Sequence, residues 1–288
     1  MTAIYRHLLN LFLLLILAAL PLGLLNMDEK VSIDLDGMVT VIKEFFRGLF
    51  SGEAWYYSQG GRARLILSDL VSYFLSSYLY LIISAIIVMI ISISLGIFLW
   101  KKTNRWINAS LGFIGMVPDF LLVLMLQMAV VYINKSLGVK TFKVASSSID
   151  DPAIFLPILT LILIPAIYLV RSLSEATSEI TTEDYILLAK SKGLGKKYIY
   201  LYHVTTNVLP FLKADLHKVI SIMIGNLFIV EYLYNTRGLT SFIFVHSSKF
   251  GYQYNLVIIC LLSLFVLYMF CYYSLRLLLA AAERWLAK

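Results

Sequence analysis

The chain has 288 residues, of which 60% are hydrophobic and only 14% are charged, with a formal net charge of +7. Soluble domains are nearer to a quarter charged, so this composition excludes an ordinary soluble globular domain. The basic residues are scattered among long apolar runs. This pattern indicates positive charge at the edges of a membrane and argues against a nucleic-acid-binding surface.

Long apolar runs predict an all-α membrane protein that forms a single transmembrane domain over residues 1–288. A spanning helix needs about 20 predominantly apolar residues, and six runs reach or approach that length. They are residues 8–27, 71–100, about 107–134, 152–170, about 210–230 and 254–275. We interpret the first as a retained helix and not a cleaved signal peptide, because Leu20 and Pro21 crowd the small pair Ala18-Ala19.

The distribution of charge predicts the orientation of the chain. With the N-terminus in the cytoplasm and alternating spans, the cytoplasmic segments hold most of the Lys and Arg residues, as membrane proteins favour. The longest outer segment is then 27–70. Within it, residues 38–50 carry apolar side chains at helical spacing. This amphipathic helix either lies on the outer leaflet or packs against the transmembrane bundle.

Polar residues within the spans are candidates for a translocation path, because ionisable groups are costly to place in a membrane. These candidates are Asp119, Gln127, Asn226 and Glu231. Each of these residues also has a structural interpretation: it pairs with a charged side chain, lies at the end of a span or forms a hydrogen bond between helices. A further group, Lys213, Asp215, His217 and Lys218, forms either a charged inner gate or a solvated helix end. Cys260 and Cys271 are interpreted as apolar filler, and no metal-ligand spacing occurs.

The segment 174–206 is charged, although apolar runs surround it. Thr182 is predicted as the N-cap of a helix, and Glu183 and Asp184 follow in its first turn, where acids suit the positive helix end. Lys190 and Lys192 occupy the last turn, and Gly193 ends the helix as a left-handed cap. Residues 196–203 begin a second short helix, and Pro210 closes the region.

Several residues occur in the order of a known signature. They are Arg171, Glu179, Asp184-Tyr185, the AKSKGL run at 189–194, His203 and Leu209-Pro210. This order resembles the cytoplasmic signature loop of ABC importer permeases, in the branch that imports di- and oligopeptides and nickel. FFRGLFSGE at 45–53, MVPDFLLVLMLQ at 116–127 and Glu231 with Arg237-Gly238-Leu239 resemble other segments of that family. Lys190 and Ser191 depart from the family's usual Arg and Ala.

The resemblance implies a type I importer permease fold in which residues 174–206 form coupling helices that sit in a groove of a cytoplasmic ATPase. We call this segment the coupling loop. Gly193 would set its elbow, Glu183, Asp184, Lys190 and Lys192 would make polar contacts, and Tyr185, Leu188, Ala189 and Leu194 would make apolar ones. Arg171 and Glu179 would anchor the loop to its own span, and His203 belongs to the same signature.

The resemblance also implies partners and a location. The chain would pair with a second homologous permease, two ABC ATPase subunits and an extracytoplasmic substrate-binding protein, in a bacterial cytoplasmic membrane with both termini inside. The sequence contains no G-x-x-x-x-G-K-[ST] motif, the loop that binds the phosphates of ATP. ATP and Mg would therefore be used by the ATPase subunits, and this chain would bind no cofactor. We therefore expect a non-enzymatic permease, with peptides as cargo. The alternative is a secondary transporter driven by an ion gradient, for which Asp119 would be the ion site.

Overall fold

The computed structural model describes residues 2–24, 26–27, 30–31, 34–98, 112, 117–138, 142–148 and 151–286. The helices in chain order are α1 (Thr2–Gly23), α2 (Leu35–Ser51), α3 (Ile66–Ile93), α4 (Asp119–Leu137), α5 (Phe155–Ile180), α6 (Asp184–Ser191), α7 (Lys196–Tyr198), α8 (Thr205–Tyr234), α9 (Leu239–Phe250) and α10 (Tyr254–Leu286). Two π-helical segments, Ser94–Phe98 and Ile199–Val204, follow α3 and α7. The strands form two short antiparallel pairs, β1 (Asn26–Met27) with β2 (Lys30–Val31) and β3 (Tyr56–Gln59) with β4 (Arg62–Leu65).

Five helices of the described part are long and apolar enough to cross a membrane. They are Ile66–Phe98, Asp119–Leu137, Phe155–Ile180, Lys196–Tyr234 and Tyr254–Arg284. The first predicted span is helical as α1, but its described apolar part, Leu11–Gly23, is shorter than the other five spans. That α1 crosses the membrane therefore stays a prediction. In the third predicted span, residues 107–111 and 113–116 lie outside the described residues. A mainly helical membrane protein is therefore confirmed.

The first of two compact units comprises Met1–Ser76 and Arg237–Val266. Its core joins α1, α2, α9 and the beginning of α10, and includes Ala18, Phe45, Phe242 and Ile258. Residues 38–50, whose spacing predicts a helix, lie within α2. The Asp34 side chain caps α2 by accepting from the Gly37 N–H at 2.9 Å, and the helix ends at Gly52, which has a left-handed φ of 91°.

A β-hairpin made of β3 and β4 belongs to the same unit. Its strands pair in the register Tyr56↔Leu65 to Gln59↔Arg62. The Gln253 side chain joins the outer edge of β3, because its Oε1 accepts from the Ser58 N–H at 2.7 Å and its Nε2 donates to the Ser58 carbonyl at 2.8 Å. The Tyr57 hydroxyl donates to Asp69 at 2.6 Å. A two-stranded ribbon is only marginally stable alone, so these side chains hold it in place.

The second compact unit comprises Ser77–Thr236 and Leu267–Lys288. Helices α5 and α8 pack along each other in it, and the buried residues Leu161, Leu173, Leu212 and Leu227 lie on these two helices. The π segment Ser94–Phe98 packs against α5 at Gly96. A Cβ on Gly96 would lie 2.9 Å from the Leu173 Cβ, so the close approach of these two elements requires glycine.

The second helix of the coupling loop does not end before the next span, contrary to the sequence prediction. From Lys196 the chain stays helical through the π segment Ile199–Val204 into α8, and Pro210 lies inside α8. The Thr205 N–H bonds to the Tyr200 carbonyl, five residues earlier, which is the hydrogen bond of a π turn. Proline removes one backbone donor, but the residues around Pro210 remain helical. Residues 196–203 and the fifth predicted span are therefore one helical rod.

Coupling loop and polar residues of the spans

Helix α6 is the first element of the coupling loop beyond α5. It begins after Glu183, which has the extended backbone of an N-cap, and not after Thr182 as predicted. The Thr182 hydroxyl instead donates back to the Glu179 carbonyl at 2.7 Å, which also accepts from the Thr182 N–H at 3.1 Å, so both groups of Thr182 bond to the end of α5. The prediction for Thr182 was wrong because a threonine hydroxyl can serve either helix.

Gly193 ends α6 with a left-handed backbone at φ +76°, as predicted. The Gly193 N–H donates to the Lys190 carbonyl at 3.0 Å, and the Leu194 N–H donates to the Ala189 carbonyl at 3.3 Å. These two bonds form a Schellman motif, which satisfies carbonyl groups that the helix itself cannot. The elbow is therefore held by its own backbone and has a defined direction.

Large apolar side chains of the elbow point away from the chain. Tyr185, Leu187, Leu188 and Leu194 are 41%, 50%, 55% and 39% exposed, and we call these four residues the loop surface. Leu187 was missed from the sequence, although it lies beside Leu188 in the same apolar run. Ala189 was predicted in the apolar contact, but it is 6% exposed and faces inward with the fully buried Ile186. The i, i+3 spacing of these two residues is the signal for the inner face.

The charged residues of α6 surround the loop surface. Glu183, Asp184, Lys190 and Lys192 are all exposed. The Lys190 ammonium also lies 3.4 Å from the Thr181 carbonyl, so it links the end of α6 to the turn before it. Burial and the nearby Glu183 carboxylate raise the pKa of Tyr185, and its phenol therefore stays a neutral donor. The surface combines apolar contact area with charges of both signs.

The inner face of α6 rests on the π segment Ile199–Val204. That segment buries Ile199 and Val204 and also contacts the π segment Ser94–Phe98. His203 lies within it, with its ring 5.9 Å from that of Tyr198. Tyr198 in turn packs 4.8 Å from Tyr202, and both tyrosines are exposed. Helix α6 therefore contacts the rod that continues into α8.

The two residues predicted to anchor the loop lie on α5. Arg171 is exposed, and its guanidinium lies beside Gly112, where an added Cβ would stand 3.0 Å away. Glu179 is exposed and is the second-last residue of α5, and its backbone carbonyl accepts from Thr182. Their anchoring role stays a prediction.

Two of the candidate path residues make contacts between elements of the second unit. Gln127 on α4 donates from Nε2 to the Leu233 carbonyl at 3.1 Å and to the Val144 carbonyl at 3.3 Å. Glu231 on α8 is 1% exposed and accepts a hydrogen bond from the Ser77 hydroxyl on α3. Of the alternatives open for Gln127 and Glu231, these contacts match the structural ones.

The other two candidates have different surroundings. Asn226 is 6% exposed, and its Nδ2 has no hydrogen-bond partner among the described residues. A buried amide donor without a partner is costly, so Asn226 stays a candidate for the translocation path. Asp119 is the first residue of α4 and is half-buried. Carboxylates are favourable at a helix N-terminus, which agrees with a residue at the end of a span.

The polar group at 213–218 ties α8 to its neighbours. Asp215 accepts from the Tyr168 hydroxyl at 2.7 Å and from the Ser172 hydroxyl, both on α5. Lys213 pairs with Glu283 on α10, and the His217 ring stacks on Tyr272 of α10 at 4.0 Å. These side chains are bound within the chain and are therefore more than a solvated helix end.

Comparisons with known proteins identify the family. Residues 89–288 match the family described as binding-protein-dependent transport system inner membrane component. Over 171 residues the chain is 26% identical to the metal-staphylopine import system permease protein CntB of Staphylococcus aureus strain NCTC 8325 / PS 47, covering 58% of this chain and 52% of that protein. The protein of the same name from strain Mu50 / ATCC 700699 is 25% identical over the same length.

The chain thus spans about half the length of the curated relatives that it matches. The family match covers more than half of the chain and includes the coupling loop, α8 and α10. It confirms the resemblance noted in the sequence and, with the observed helices, the type I importer permease fold. The chain belongs to the family of binding-protein-dependent transport system inner membrane components, the permease subunits of ABC importers.

Proposed function

We propose that the chain is the transmembrane permease subunit of an ATP-driven importer, which forms half of a translocation path and couples to a separate ATPase. The observation that carries this proposal is the loop surface of Tyr185, Leu187, Leu188 and Leu194. Large apolar residues stand exposed there on a short helix outside the candidate spans. Exposed apolar patches rimmed by polar groups mark interaction sites.

The elbow suits a docking element that transmits motion. Its Schellman motif fixes the direction of α6, and its inner face rests on the π segment that leads into α8. A partner can shift a conformational equilibrium only through contacts that differ between the two states. An ATPase gripping the loop surface would act through Ile186 and Ala189 on this rod, while ATP and Mg stay with the ATPase.

The remaining parts of the assembly follow from the same proposal. A second, homologous permease would complete the path, two ATPase subunits would dock from the cytoplasm, and an extracytoplasmic substrate-binding protein would deliver the cargo. Both termini would then lie in the cytoplasm of a bacterial cell. Within the path, we favour Asn226 among the four candidates for contact with cargo, because its Nδ2 has no hydrogen-bond partner among the described residues.

The cargo class is the least constrained element of the proposal. The coupling-loop signature favours peptides, whereas the relative CntB is named for import of metal-staphylopine. We propose a peptide or a peptide-sized metal complex. Uptake of a labelled oligopeptide and of a labelled divalent metal, each compared between cells with and without the chain, distinguishes the two.

The coupling function is tested by purifying the chain in mild detergent from its native membrane and identifying what accompanies it. We expect an ATPase and a second permease with the native chain, and loss of the ATPase with Leu188→Asp, because a carboxylate would enter an apolar contact. The matched control is Thr40→Asp, an exposed position of α2 outside the coupling loop. Equal ATPase recovery with both variants would contradict the proposal.

The secondary-transporter alternative gains no support from Asp119, which begins α4 at the end of a span. That alternative predicts transport without any ATPase. Native chain recovered alone in several mild detergents, together with uptake that persists when ATP is depleted and the ion gradient is kept, would favour it over the importer.

A further inference from the structure

The surface of α2 is divided into three sectors. One sector is buried in the first unit and contains Met38, Phe45 and Gly48. A second sector is polar and contains Asp36, Thr40, Glu44 and Arg47. The third is apolar but exposed, with Leu35, Val39, Phe46 and Phe50 at 67%, 48%, 45% and 93% exposure.

The exposed apolar residues form one continuous stripe. Their spacing is four, seven and four residues, which at 3.6 residues per turn keeps them within an arc of about 60°. The stripe borders the buried sector on one side and Lys43 on the other. A helix on the surface of a soluble protein needs only a buried sector and a polar sector. The exposed apolar sector of α2 therefore requires a separate explanation.

The position of α2 supplies that explanation. Near its beginning, the Asp34 N–H donates to the carbonyl of Gly23, the last residue of α1, at 2.9 Å. About three turns later, the Phe45 ring packs edge-on against Tyr254, the first residue of α10, at 5.4 Å. Tyr254 begins α10, a helix that is apolar and long enough to span a membrane. Because α2 contacts both the end of α1 and the first residue of α10, it lies beside the end of a candidate span.

We propose that α2 is an in-plane membrane helix, with Leu35, Val39, Phe46 and Phe50 inserted between the lipids of the leaflet where α10 begins. Amphipathic helices of this kind bury an apolar face at the headgroup and acyl boundary. Lys43, at the edge of the stripe, can lay its stem on the apolar surface and extend its ammonium toward lipid phosphates. The polar sector then faces water, and the buried sector attaches the helix to the spans.

Adjacent residues on α2 provide matched positions for the test. Val39 and Thr40 are neighbours in the chain but belong to the apolar stripe and the polar sector, and Phe50 and Ser51 form a second such pair. In a chain whose Cys260 and Cys271 are replaced by alanine, each of the four positions is changed in turn to cysteine and spin-labelled. The labelled chain, within its purified complex, is placed in vesicles of phosphatidylethanolamine and phosphatidylglycerol.

The measurement compares collisions of each label with oxygen, which partitions into lipid, and with a water-soluble nickel chelate. We expect the ratio of oxygen to nickel accessibility to be severalfold higher at 39 and 50 than at 40 and 51. Equal ratios within both pairs would place the stripe in water and overturn the proposal. Labels at 39 and 50 protected from both reagents would overturn it as well, because protein would then cover the stripe.

Discussion

Helices α2 and α6 both lie outside the candidate spans and both expose large apolar side chains, but different forces hold them. The eight-residue α6 is closed by two backbone hydrogen bonds at Gly193 and has a small buried face at Ile186 and Ala189. The 17-residue α2 has a side-chain cap at Asp34 and a large buried face around Phe45. Isolated helices of either length are marginal in water.

The difference separates two kinds of apolar surface. On α6 the exposed residues are clustered on one elbow and surrounded by lysines and acids, as a groove on another protein would require. On α2 they form a stripe along most of the helix, which matches a lipid surface. The exposure of apolar side chains therefore does not by itself identify the partner of a helix. The shape of the apolar patch and the contacts that hold the helix in place distinguish a protein partner from lipid.

The largest effect that tests this comparison is expected at two phenylalanines of α2. Phe45→Ala should cost about 3–5 kcal/mol of stability, because it removes a buried ring and leaves a cavity. Phe50→Ala should change the stability of detergent-solubilised protein by only about 0.5 kcal/mol, since its ring is 93% exposed. Thermal unfolding of both variants measures this. Equal destabilisation would mean that α2 has no distinct buried and exposed apolar sectors.

A smaller effect is expected at the elbow of α6. Gly193→Ala forces a side chain into a left-handed backbone and should cost about 1–2 kcal/mol locally. Gly195→Ala is the matched control, because Gly195 has φ −63° and open space around it. The rate of protease cleavage within residues 181–195 and the recovery of the ATPase measure the loss of stability at the elbow. The same cleavage rate in both variants would show that the left-handed turn does not hold the elbow.

The smallest effect is a pH dependence in the unit that contains α2. His246 on α9 is buried between the rings of Tyr57 and Phe242. Burial lowers the pKa of His246, although its hydrogen bond to the Phe242 carbonyl and the Asp69 carboxylate oppose this, while Lys249 and Arg64 reinforce it. The unfolded chain then binds the proton more readily than the folded one, so stability falls as the pH drops below the unfolded value of about 6.5.

The variant His246→Gln should remove this part of the pH dependence. Unfolding temperatures of the native chain and the variant, measured at pH 7.5 and pH 5.5, give the comparison. The α6 elbow carries no such buried histidine, so its protease resistance should not follow the same pH profile. An unchanged pH profile in the variant would assign the effect to other groups.

Local features of the coupling loop could be predicted from the sequence, because they depend on neighbouring residues. Gly193 and the lysines before it predicted the end of α6 correctly. The continuous rod through Pro210 was not predicted, because its π hydrogen bonds are a property of the backbone that residue types do not reveal. The inward position of Ala189 was not predicted, because α6 packs against residues 199–204, which belong to the next element.

Contacts between distant residues explain the remaining differences. Gln127 and Glu231 were recognised as unusual in a span, but their partners Leu233 and Ser77 are more than a hundred residues away in the chain. A single sequence indicates that a polar residue in a span is costly to bury, but it does not reveal which group forms the hydrogen bond that offsets this cost. For the Nδ2 of Asn226, no hydrogen-bond partner occurs among the described residues.

The pairing of Gln253 with Ser58 has a consequence for association between molecules. An open strand edge offers free N–H and carbonyl groups that can recruit a strand from another molecule. At Ser58 both groups are already bonded to one side-chain amide, so β3 cannot extend its sheet there. This position on the edge of β3 is thereby closed to a strand from another molecule.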